Sequence, residues 1–253
     1  MADLNCICVI QARRTSSRLP DKVLKTLGGV PVLQRVVDRA TAIEGVDKVI
    51  VAIPEGDYNL PLKEAAEAVG AAVVTGSETD VLARYLSALE AHPAKYVMRI
   101  TSDCPFLDPE VSGGMLAGMI ESGADYAVTS LWPHGLDSES MTAEALRLAG
   151  VQAKNPLDRE HVTLWLKRSE QISRYNHRAE YNYSGEQRWV LDYPEDYAFL
   201  EALCAVLPPY PAMPGWREVL KACEDNPEIG SINRGRAEEW AALTRQIYKD
   251  AAS

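Results

Sequence analysis

The sequence predicts an α/β fold in which a mostly parallel sheet is flanked by helices, with a mixed second half. Apolar, β-branched segments alternate with amphipathic segments through roughly the first half of the chain, which is typical of βαβ units. The first apolar segment, residues 6–10, is continuously apolar, as expected for a strand that is buried on both faces. Pro31 and Gly70 stand where a helix is expected to begin and another to end.

The elements of the first half follow from this alternation in chain order. After the strand at 6–10 and a polar loop, apolar residues at helical spacing predict a helix that begins at Pro31, with Arg35 and Asp38 on its polar stripe. The other strands are predicted at 48–54, 72–76, 96–100 and 125–129, and the other helices at 61–70, from Thr79 onward, and at 110–122.

The regular alternation ends after residue 130. The sequence there predicts a loop at 132–139, helices at 143–150 and 158–168, and an extended polar strand at 172–183. Residues 188–196 are interpreted as a strand and turn that lead into a helix at Pro194, followed by an irregular proline-rich segment and a closing helix at about 234–249. No internal repeat, low-complexity tract or Gly/Ser linker divides the sequence, so a single domain over residues 1–253 is the simpler interpretation.

The composition excludes several classes of protein. Hydrophobic residues make up 47% of the 253 residues, which is enough for a sizeable core. The apolar runs are too short to span a bilayer and the N-terminus lacks a secretory pattern, so we expect a soluble cytoplasmic protein without a membrane partner. Five cysteines without metal-ligand spacing fit reduced thiols. A formal net charge of −10 argues against a nucleic-acid partner.

One segment of this acidic chain is strongly cationic. Between residues 13 and 39, seven Lys or Arg residues face only two acidic residues, Asp21 and Asp38. No P-loop, dinucleotide-binding glycine motif, hydrolase nucleophile elbow or zinc-protease motif occurs, so these common explanations do not apply. The seven cations are Arg13, Arg14, Arg18, Lys22, Lys25, Arg35 and Arg39.

Five of these cations lie in the loop between the first strand and the first helix, and three of the five are candidates to bind a ligand. In an open α/β sheet, ligands bind beyond the carboxyl ends of the strands, which is where Arg13, Arg18 and Lys22 are expected. Arg offers phosphate oxygens a planar fork of donors, and Lys offers a point charge. The loop could therefore hold a triphosphate. A solvated cationic loop is the alternative, and the residues alone leave both interpretations open.

Two aspartates follow later predicted strands. Asp103 comes after the fourth strand and Asp192 after the segment that begins at Arg188. Mg²⁺ prefers one or two carboxylates together with phosphate oxygens and water, so both residues are candidate magnesium ligands beside a polyphosphate. For each, the alternative is a cap of the following turn or helix, and Asp108 is interpreted as such a cap.

Other polar residues have simpler explanations. Glu195 and Asp196 occupy a first helical turn, where the helix dipole is a sufficient reason for an acidic side chain. His134 and His161 have no partner at metal-ligand spacing. For the two histidines, a polar acceptor pocket or a hydrogen-bonded loop is favoured over a metal site.

Several segments together resemble a known family. The segments "VIQARRTSSRLPDKVL", "GSETDVLARY", "RITSDCPFLDPEV", "HGLDSE", "REHVT", "RWVLDYPED" and "NPEIGSIN" occur in the order found in the spore-coat polysaccharide (SpsF-type) cytidylyltransferases. These enzymes are relatives of CMP-KDO and CMP-acylneuraminate synthetases. The resemblance covers nearly the whole chain. It implies a Rossmann-like nucleotide-diphospho-sugar transferase fold and transfer of CMP from CTP to an acceptor, with Mg²⁺ as cofactor and release of pyrophosphate.

The resemblance also implies roles for individual residues. Asp103 and Asp192 look like the metal-binding pair. The triphosphate is expected at Arg13, Arg18 and Lys22, and the nucleotide near the backbone of Gln11 and Ala12. Further residues are expected on the base and ribose side (Ser77, Asp80 and Arg84) and on the acceptor side (Asp137, Glu139, Arg159 and His161).

The sequence departs from the family pattern at three places. Asp21 stands where the family usually has Gly, Arg14 and Thr15 replace a Met-Gly pair, and Ser102 replaces Gly before Asp103. None of these changes removes a chemical group that the reaction needs.

The predicted function is therefore a Mg²⁺-dependent cytidylyltransferase that acts on CTP and a small-molecule acceptor such as a sugar acid or a related glycan precursor. The alternatives are a nucleotidyltransferase with another nucleoside triphosphate or with a phosphonate or polyol phosphate acceptor, and a nucleotide-binding protein without activity. Arg159 and His161 suggest an anionic group on the acceptor. The extended segment at 172–183 could pair across a homodimer.

Overall fold

A seven-stranded sheet forms the centre of the computed structural model, which describes residues 4–236 and 239–240. The strand order in this sheet is β5-β4-β1-β6-β8-β7-β9, and β2 and β3 form a separate small hairpin. The strands are β1 (Leu4–Gln11), β2 (Thr26–Leu27), β3 (Val30–Pro31), β4 (Lys48–Pro54), β5 (Ala72–Gly76), β6 (Ala94–Thr101), β7 (Tyr126–Ser130), β8 (Glu139–Thr142) and β9 (Arg174–Arg178).

Helices cover both faces of the sheet. No helix in the described part of the chain is both long and apolar enough to cross a membrane. Short 3-10 turns occur at Lys22–Leu24 and Asp57–Asn59. The α-helices are α1 (Val32–Thr41), α2 (Leu60–Ala68), α3 (Val81–Ala91), α4 (Pro109–Ser122), α5 (Ala143–Gln152), α6 (Pro156–His161), α7 (Leu164–Arg168), α8 (Pro194–Val206), α9 (Trp216–Asp225) and α10 (Pro227–Ser231).

The alternation of side chains along β1 divides the core into two layers. Cys6, Cys8 and Ile10 pack into a cluster with the apolar residues of α1, α4 and α8. Ile7 and Val9 point to the other face and pack with those of α3 and α5. Burial on both faces is the physical reason why the segment is continuously apolar.

The register of the central strands brings their carboxyl ends together. β1 lies between β4 and β6 and is parallel to both, and Gln11 at its end is paired with Ala52 and Thr101. The loops after β1 and β6 therefore leave the sheet side by side. The predicted mostly parallel α/β sheet with flanking helices is confirmed. That the chain forms a single domain stays a prediction.

The structure differs from the predicted elements mainly after residue 130. β8 was not predicted: it begins at Glu139, the last residue of the expected loop, and lies antiparallel between β6 and β7. The helix expected at 158–168 is two helices, α6 and α7, because Val162 between them has a left-handed backbone with φ of 64°. Helices α9 and α10 lie in the region that was expected to be irregular.

Residues 188–191 do not form a strand of the sheet, contrary to the prediction. This segment instead bonds to two loops: the N–H of Trp189 donates to the carbonyl of His134 at 2.6 Å, and the N–H of Leu191 donates to the carbonyl of Asp103 at 2.8 Å. The second bond holds the residue before Asp192 against Asp103, so both predicted metal ligands meet at one place.

Two further predictions concern segments near the ends of the sheet and of the chain. The extended strand expected at 172–183 is the shorter β9, an edge strand paired in parallel with β7. Pairing across a homodimer stays a prediction. The closing helix expected at 234–249 falls mostly outside the described residues.

Candidate active site

A cleft of about 550 Å³ opens where β1 and β6 end. Most of the residues predicted for the site line this cleft, whereas Ser77, Asp80 and Arg159 do not. The predicted residues in the lining are Gln11, Ala12, Arg13, Arg18, Lys22, Arg84, Asp103, Asp137, Glu139, His161 and Asp192.

The predicted cationic segment is divided between the cleft and the core. Arg35 and Arg39, on α1, are buried and serve the fold. Nε of Arg35 donates to the carbonyl of Leu27 at 2.9 Å, and Nη1 of Arg39 donates to that of Leu107 at 2.9 Å. The expectation that Arg35 lies on a polar stripe is wrong, because its guanidinium satisfies a backbone carbonyl instead of facing water.

The loop after β1 is closed by a pair of side chains. Asp21 has a left-handed backbone with φ of 54° and precedes the 3-10 turn Lys22–Leu24. Glycine adopts this conformation without strain, which explains why the family usually has Gly here. Nε of Arg14 donates to Oδ1 of Asp21 at 2.7 Å, and the Asp21 N–H donates to the Arg14 carbonyl at 3.3 Å. The pair closes the loop from which Arg13 and Arg18 extend.

Lys22 lies at the centre of the site. Its ammonium contacts Oδ2 of Asp103 at 2.7 Å and Oδ1 of Asp192 at 2.9 Å. Burial disfavours the charge of Lys22, but the two carboxylates outweigh burial and raise the pKa of the ammonium. Burial likewise acts to raise the pKa of Asp103, and Lys22 reverses this and lowers it to about 2. Lys22 and Asp103 are therefore both charged at neutral pH.

Arg13 and Arg18 extend the positive charge toward the mouth of the cleft. The guanidinium of Arg18 pairs with Asp192 and lies 5.1 Å from the centre of the Tyr193 ring. Arg13 is exposed, and within the described ranges it has no ion-pair partner. Arg13 thus offers its donors to a ligand without breaking an internal contact.

Asp192 is held in place by a buried ion pair. Its N–H and that of Tyr193 both donate to Oδ2 of Asp196 at 3.0 Å. Asp196 and Arg188, whose side chains are 0% and 2% exposed, form a two-pronged pair at 2.8 and 2.9 Å. Asn233 donates to the same carboxylate at 2.9 Å. The helix dipole is therefore only part of the reason for an acidic residue at 196.

The donor set fits a magnesium ion. Asp103 and Asp192 contact the same ammonium, so their carboxylates face each other across a site that already accepts a cation. Two carboxylates are what Mg²⁺ takes from proteins when phosphate oxygens and water complete its shell. Residues 4–236 and 239–240 contain no group of three or more His, Cys, Asp or Glu side chains that could hold a metal.

Arg84 lines the cleft and has buried donors without a partner among the described residues. Its side chain is 2% exposed, and Nε and Nη1 have no hydrogen-bond partner among the described residues. Burial lowers the pKa of this guanidinium. A buried cation without partners is costly unless a ligand accepts its hydrogen bonds.

The three predicted residues outside the cleft bond to one another. Asp80 accepts from the N–H of Ala83 at 2.9 Å and so caps α3, and it pairs with Arg159 at 2.6 Å. The Ser77 hydroxyl accepts from the Asp80 N–H at 3.0 Å. Their roles toward base, ribose or acceptor stay predictions, and their position does not favour direct contact with a ligand.

Three cationic residues of the cleft were missed in the sequence, one of which is Arg188, the buried partner of Asp196. Arg99, on β6, and Lys167, on α7, both line the cleft and pair with Glu139 at 2.5 and 2.7 Å. A charged residue inside an otherwise apolar strand was a signal for Arg99. No local signal pointed to Lys167, because its partner lies 28 positions away in the sequence.

An aromatic residue near the described end of the chain also reaches the cleft. Trp240 lines it and stacks on His134, with ring centres 5.0 Å apart. Nδ1 of His134 lies 3.1 Å from Nη1 of Arg188, and its Nε2 lies 3.8 Å from Asp137. His134 is thus part of a hydrogen-bonded loop, one of the two favoured alternatives. Trp240 was missed because it lies 48 residues beyond Asp192 in the sequence.

Comparison with known proteins identifies the family to which this chain belongs. The profile of the cytidylyltransferase family matches residues 7–222. The chain belongs to the cytidylyltransferase family. The predicted resemblance is confirmed, and the protein is a CTP-dependent nucleotidyltransferase.

Individual cytidylyltransferases and relatives agree with this family. The chain is 31% identical over 202 residues to the spore coat polysaccharide biosynthesis protein SpsF of Bacillus subtilis (strain 168), covering 77% of this chain and 84% of that protein. It is 38% identical over 108 residues to the 3-deoxy-manno-octulosonate cytidylyltransferase of Idiomarina loihiensis, covering 41% of each. The solved structure of a cytidylyltransferase from Leptospira borgpetersenii has the same fold, with a TM-score of 0.84, 23% identity, and coverage of 89% of this chain and 96% of that one.

Proposed function

We propose that this cytidylyltransferase transfers CMP from CTP to a sugar acid or a related glycan precursor, with Mg²⁺ as cofactor and pyrophosphate as the leaving group. One observation carries the proposal: the Lys22 ammonium joins the carboxylates of Asp103 and Asp192 at the end of the cationic loop. Cations for a polyphosphate and carboxylates for a metal thus lie in direct contact within one cleft.

The cationic loop serves the triphosphate. Arg13 is exposed at the cleft, and Arg18 and Lys22 currently neutralise Asp192 and Asp103. With Mg²⁺ held by the two carboxylates, Arg18 and Lys22 would be free to pair with phosphate oxygens of CTP. The nucleotide therefore replaces one set of charge pairs with another and leaves no buried charge alone.

Asp103 and Asp192 are the residues that would hold Mg²⁺, which when bound neutralises phosphate charge and makes a coordinated hydroxyl more acidic. The rest of the chemistry requires positioning by the protein. An acceptor oxygen attacks the α-phosphorus in line, and the bond to the pyrophosphate oxygen breaks. Arg13, Arg18 and Lys22 stabilise the negative charge that accumulates on the leaving group.

The name of a relative and the residues that line the cleft both support a sugar acid as the acceptor. The Idiomarina relative is named for transfer to 3-deoxy-manno-octulosonate, which is a sugar acid. On this chain, Asp137 and His161 line the cleft and can bond to sugar hydroxyls. Burial, together with Arg99, Lys167 and Arg13, lowers the pKa of His161, so its ring is uncharged at neutral pH and can donate or accept a hydrogen bond.

The experiment is product analysis. The protein is incubated with CTP, MgCl₂ and separate acceptors (3-deoxy-manno-octulosonate, an acylneuraminate, a phosphonate and a polyol phosphate), and CMP-linked products are identified by mass spectrometry. We expect a CMP-linked sugar acid, equimolar pyrophosphate and loss of both with EDTA. Parallel reactions with ATP, GTP and UTP should give little product. CMP transfer only to the phosphonate or polyol phosphate, or CTP binding without any transfer, would refute the proposal.

A further inference from the structure

We propose that Arg99 and Lys167 form the binding site for the anionic group of the acceptor, with Glu139 as their internal counter-ion. The inference rests on the proposed function and names residues that select the substrate class. It also revises the expectation that Glu139 itself contacts the acceptor.

Glu139 is already saturated by the protein. Its side chain is 5% exposed and pairs with Arg99 at 2.5 Å and with Lys167 at 2.7 Å. The Thr163 hydroxyl donates to its two oxygens at 3.0 and 3.1 Å, and the Tyr126 hydroxyl donates to Oε1. A carboxylate with this many donors has little capacity left for a sugar hydroxyl. Its role is to hold two cations at the wall of the cleft.

The two cations remain accessible from the cleft. The side chains of Arg99 and Lys167 are 17% and 27% exposed, and both line the cavity. Arg99 uses Nη1 for Glu139 and Nε for Oε1 of Gln11 at 3.2 Å. Its Nη2 has no partner in the part of the chain that the structure describes. The guanidinium of Arg99, with this free Nη2 group, lies beside the ammonium of Lys167, and a ligand carboxylate can accept hydrogen bonds from both residues.

The charge around this pair favours an incoming anion. Two cations share one carboxylate, and the exposed Arg13 lines the same cleft. The acidic residue Glu160 also lines the cleft, but it is exposed, so water screens its charge. His161, uncharged at neutral pH, adds a hydrogen-bonding group and no repulsion. A neutral acceptor would leave the excess positive charge of Arg99 and Lys167 uncompensated.

The position of Arg99 connects this anion site to the reacting end of the cleft. Arg99 lies on the same strand as Thr101, with Asp103 two residues further on. Alternate residues of a strand point to the same face, so Arg99 and Thr101 share the face that leads to Asp103. Nε of Arg99 contacts Gln11, which is paired with Thr101, so the guanidinium points toward the carboxyl end of the sheet. An acceptor held there reaches toward the proposed metal ligands.

The test measures binding of the acid separately from turnover. Calorimetric titrations use 3-deoxy-manno-octulosonate, an acylneuraminate and the carboxamide of each, with protein preloaded with Mg²⁺ and a non-hydrolysable CTP analogue. The variants are Arg99→Gln and Lys167→Met, with Lys95→Met as a matched control, since Lys95 is an exposed cation on the same strand. Melting temperatures establish that each variant is folded.

We expect each cleft variant to weaken binding of the acid by about 10- to 100-fold, to change affinity for the CTP analogue by less than about 3-fold, and to leave carboxamide binding nearly unchanged. Lys95→Met should bind the acid like wild type.

Equal loss for acid and carboxamide, loss confined to the CTP analogue, or failure of wild type to bind either acid would overturn the inference. Transfer of CMP by wild type to neutral acceptors would leave the cytidylyltransferase assignment intact while refuting the anion site. If Arg99→Gln does not fold, Lys167→Met and the wild-type comparison of acid with carboxamide decide the question.

Discussion

Arg14 and Asp21 contact each other across the loop that follows β1, with Nε of Arg14 2.7 Å from Oδ1 of Asp21. Both residues are departures from the family pattern, and the structure shows that they are partners. Asp21 takes a left-handed backbone that glycine would adopt freely, and Arg14 replaces part of a flexible Met-Gly pair. The guanidinium of Arg14 also binds the Tyr58 carbonyl and lies 4.3 Å from the centre of the Tyr58 ring. Together, the two substitutions replace a flexible glycine and part of a flexible Met-Gly pair of the family pattern with an ion pair that fixes the loop.

We expect the effects of Arg14→Met and Asp21→Gly to be coupled. Asp21→Gly relieves a left-handed backbone cost of roughly 1 kcal/mol and loses the pair, so the melting temperature should change little. Asp21→Ala keeps the backbone cost and loses the pair, so it should lower the melting temperature. Arg14→Met should be destabilising in wild type and nearly neutral in the Asp21→Gly background. Equal effects of Arg14→Met in both backgrounds would show that the pair is not coupled.

Lys22→Met should reduce the rate of pyrophosphate release by about 10²- to 10³-fold, because a charged contact to the leaving group is lost. Steady-state kinetics with saturating CTP measure the effect. Lys25→Met is the control, since Lys25 lies 5.5 Å from the centre of the Tyr197 ring and outside the cleft lining. A Lys22→Met enzyme as fast as Lys25→Met would remove Lys22 from the mechanism.

Asp103→Asn should lower the rate by about 10²-fold or more and raise the Mg²⁺ concentration needed for half-maximal activity. The amide keeps the shape of the side chain but loses the negative charge that pairs with Lys22 and would bind the proposed Mg²⁺. Magnesium titrations of activity measure both effects, with Glu110→Gln as the control, because that carboxylate is exposed. Near-wild-type rates at saturating Mg²⁺ would rule Asp103 out as a ligand.

Asp196→Asn should affect stability and activity together. Breaking its fully buried pair with Arg188 should cost about 3–5 kcal/mol of unfolding free energy. The N–H of Asp192 also loses a charged acceptor, so residual activity should need more Mg²⁺. Urea unfolding and magnesium titration are the measurements. Asp225→Asn, which breaks an exposed pair with Lys221, should change stability by less than about 1 kcal/mol. A stable Asp196→Asn protein with normal magnesium dependence would contradict this role.

The ionisation of Asp103 predicts a pH dependence of stability. Its pKa is lowered from 3.8 to about 2 in the folded protein, so its contribution is complete above about pH 4 and is lost as the pH falls through 2. This difference corresponds to about 2 kcal/mol. Wild type should therefore lose about 2 kcal/mol more unfolding free energy than Asp103→Asn between pH 5 and pH 2, measured in urea. Parallel curves for the two proteins over that range would contradict the lowered pKa.

The parallel part of the fold could be predicted because its strands are buried on both faces. Such strands appear as uninterrupted apolar runs, as β4 does, and β4 occupies the predicted residues. The edge strand β5 also occupies the predicted residues, although it is only partly buried. β8 could not be found in this way, because it is four residues long and Met141 is its one apolar residue. The break at Val162 gave no signal either, since the left-handed position carries a β-branched residue instead of glycine.

The site was predictable where a residue follows a strand directly. Arg13 and Asp103 come just after β1 and β6, and the parallel arrangement of these strands brings the two residues into one cleft. The contacts that depend on tertiary pairing were not predictable. Arg159 was expected at the acceptor but pairs with Asp80, and Lys167 reaches the cleft from a helix after a break in the chain direction.

The stacking of Trp240 on His134 has a practical consequence for anyone who labels or immobilises this enzyme. A fusion partner or affinity tag joined near the C-terminal end would follow a residue that forms part of the cleft wall. β1 begins at Leu4 and runs toward the cleft, so its first residues lie at the end of the strand that is away from the cleft. Attachment before β1 therefore leaves the reaction site clear, and kinetic constants should be measured on protein labelled there.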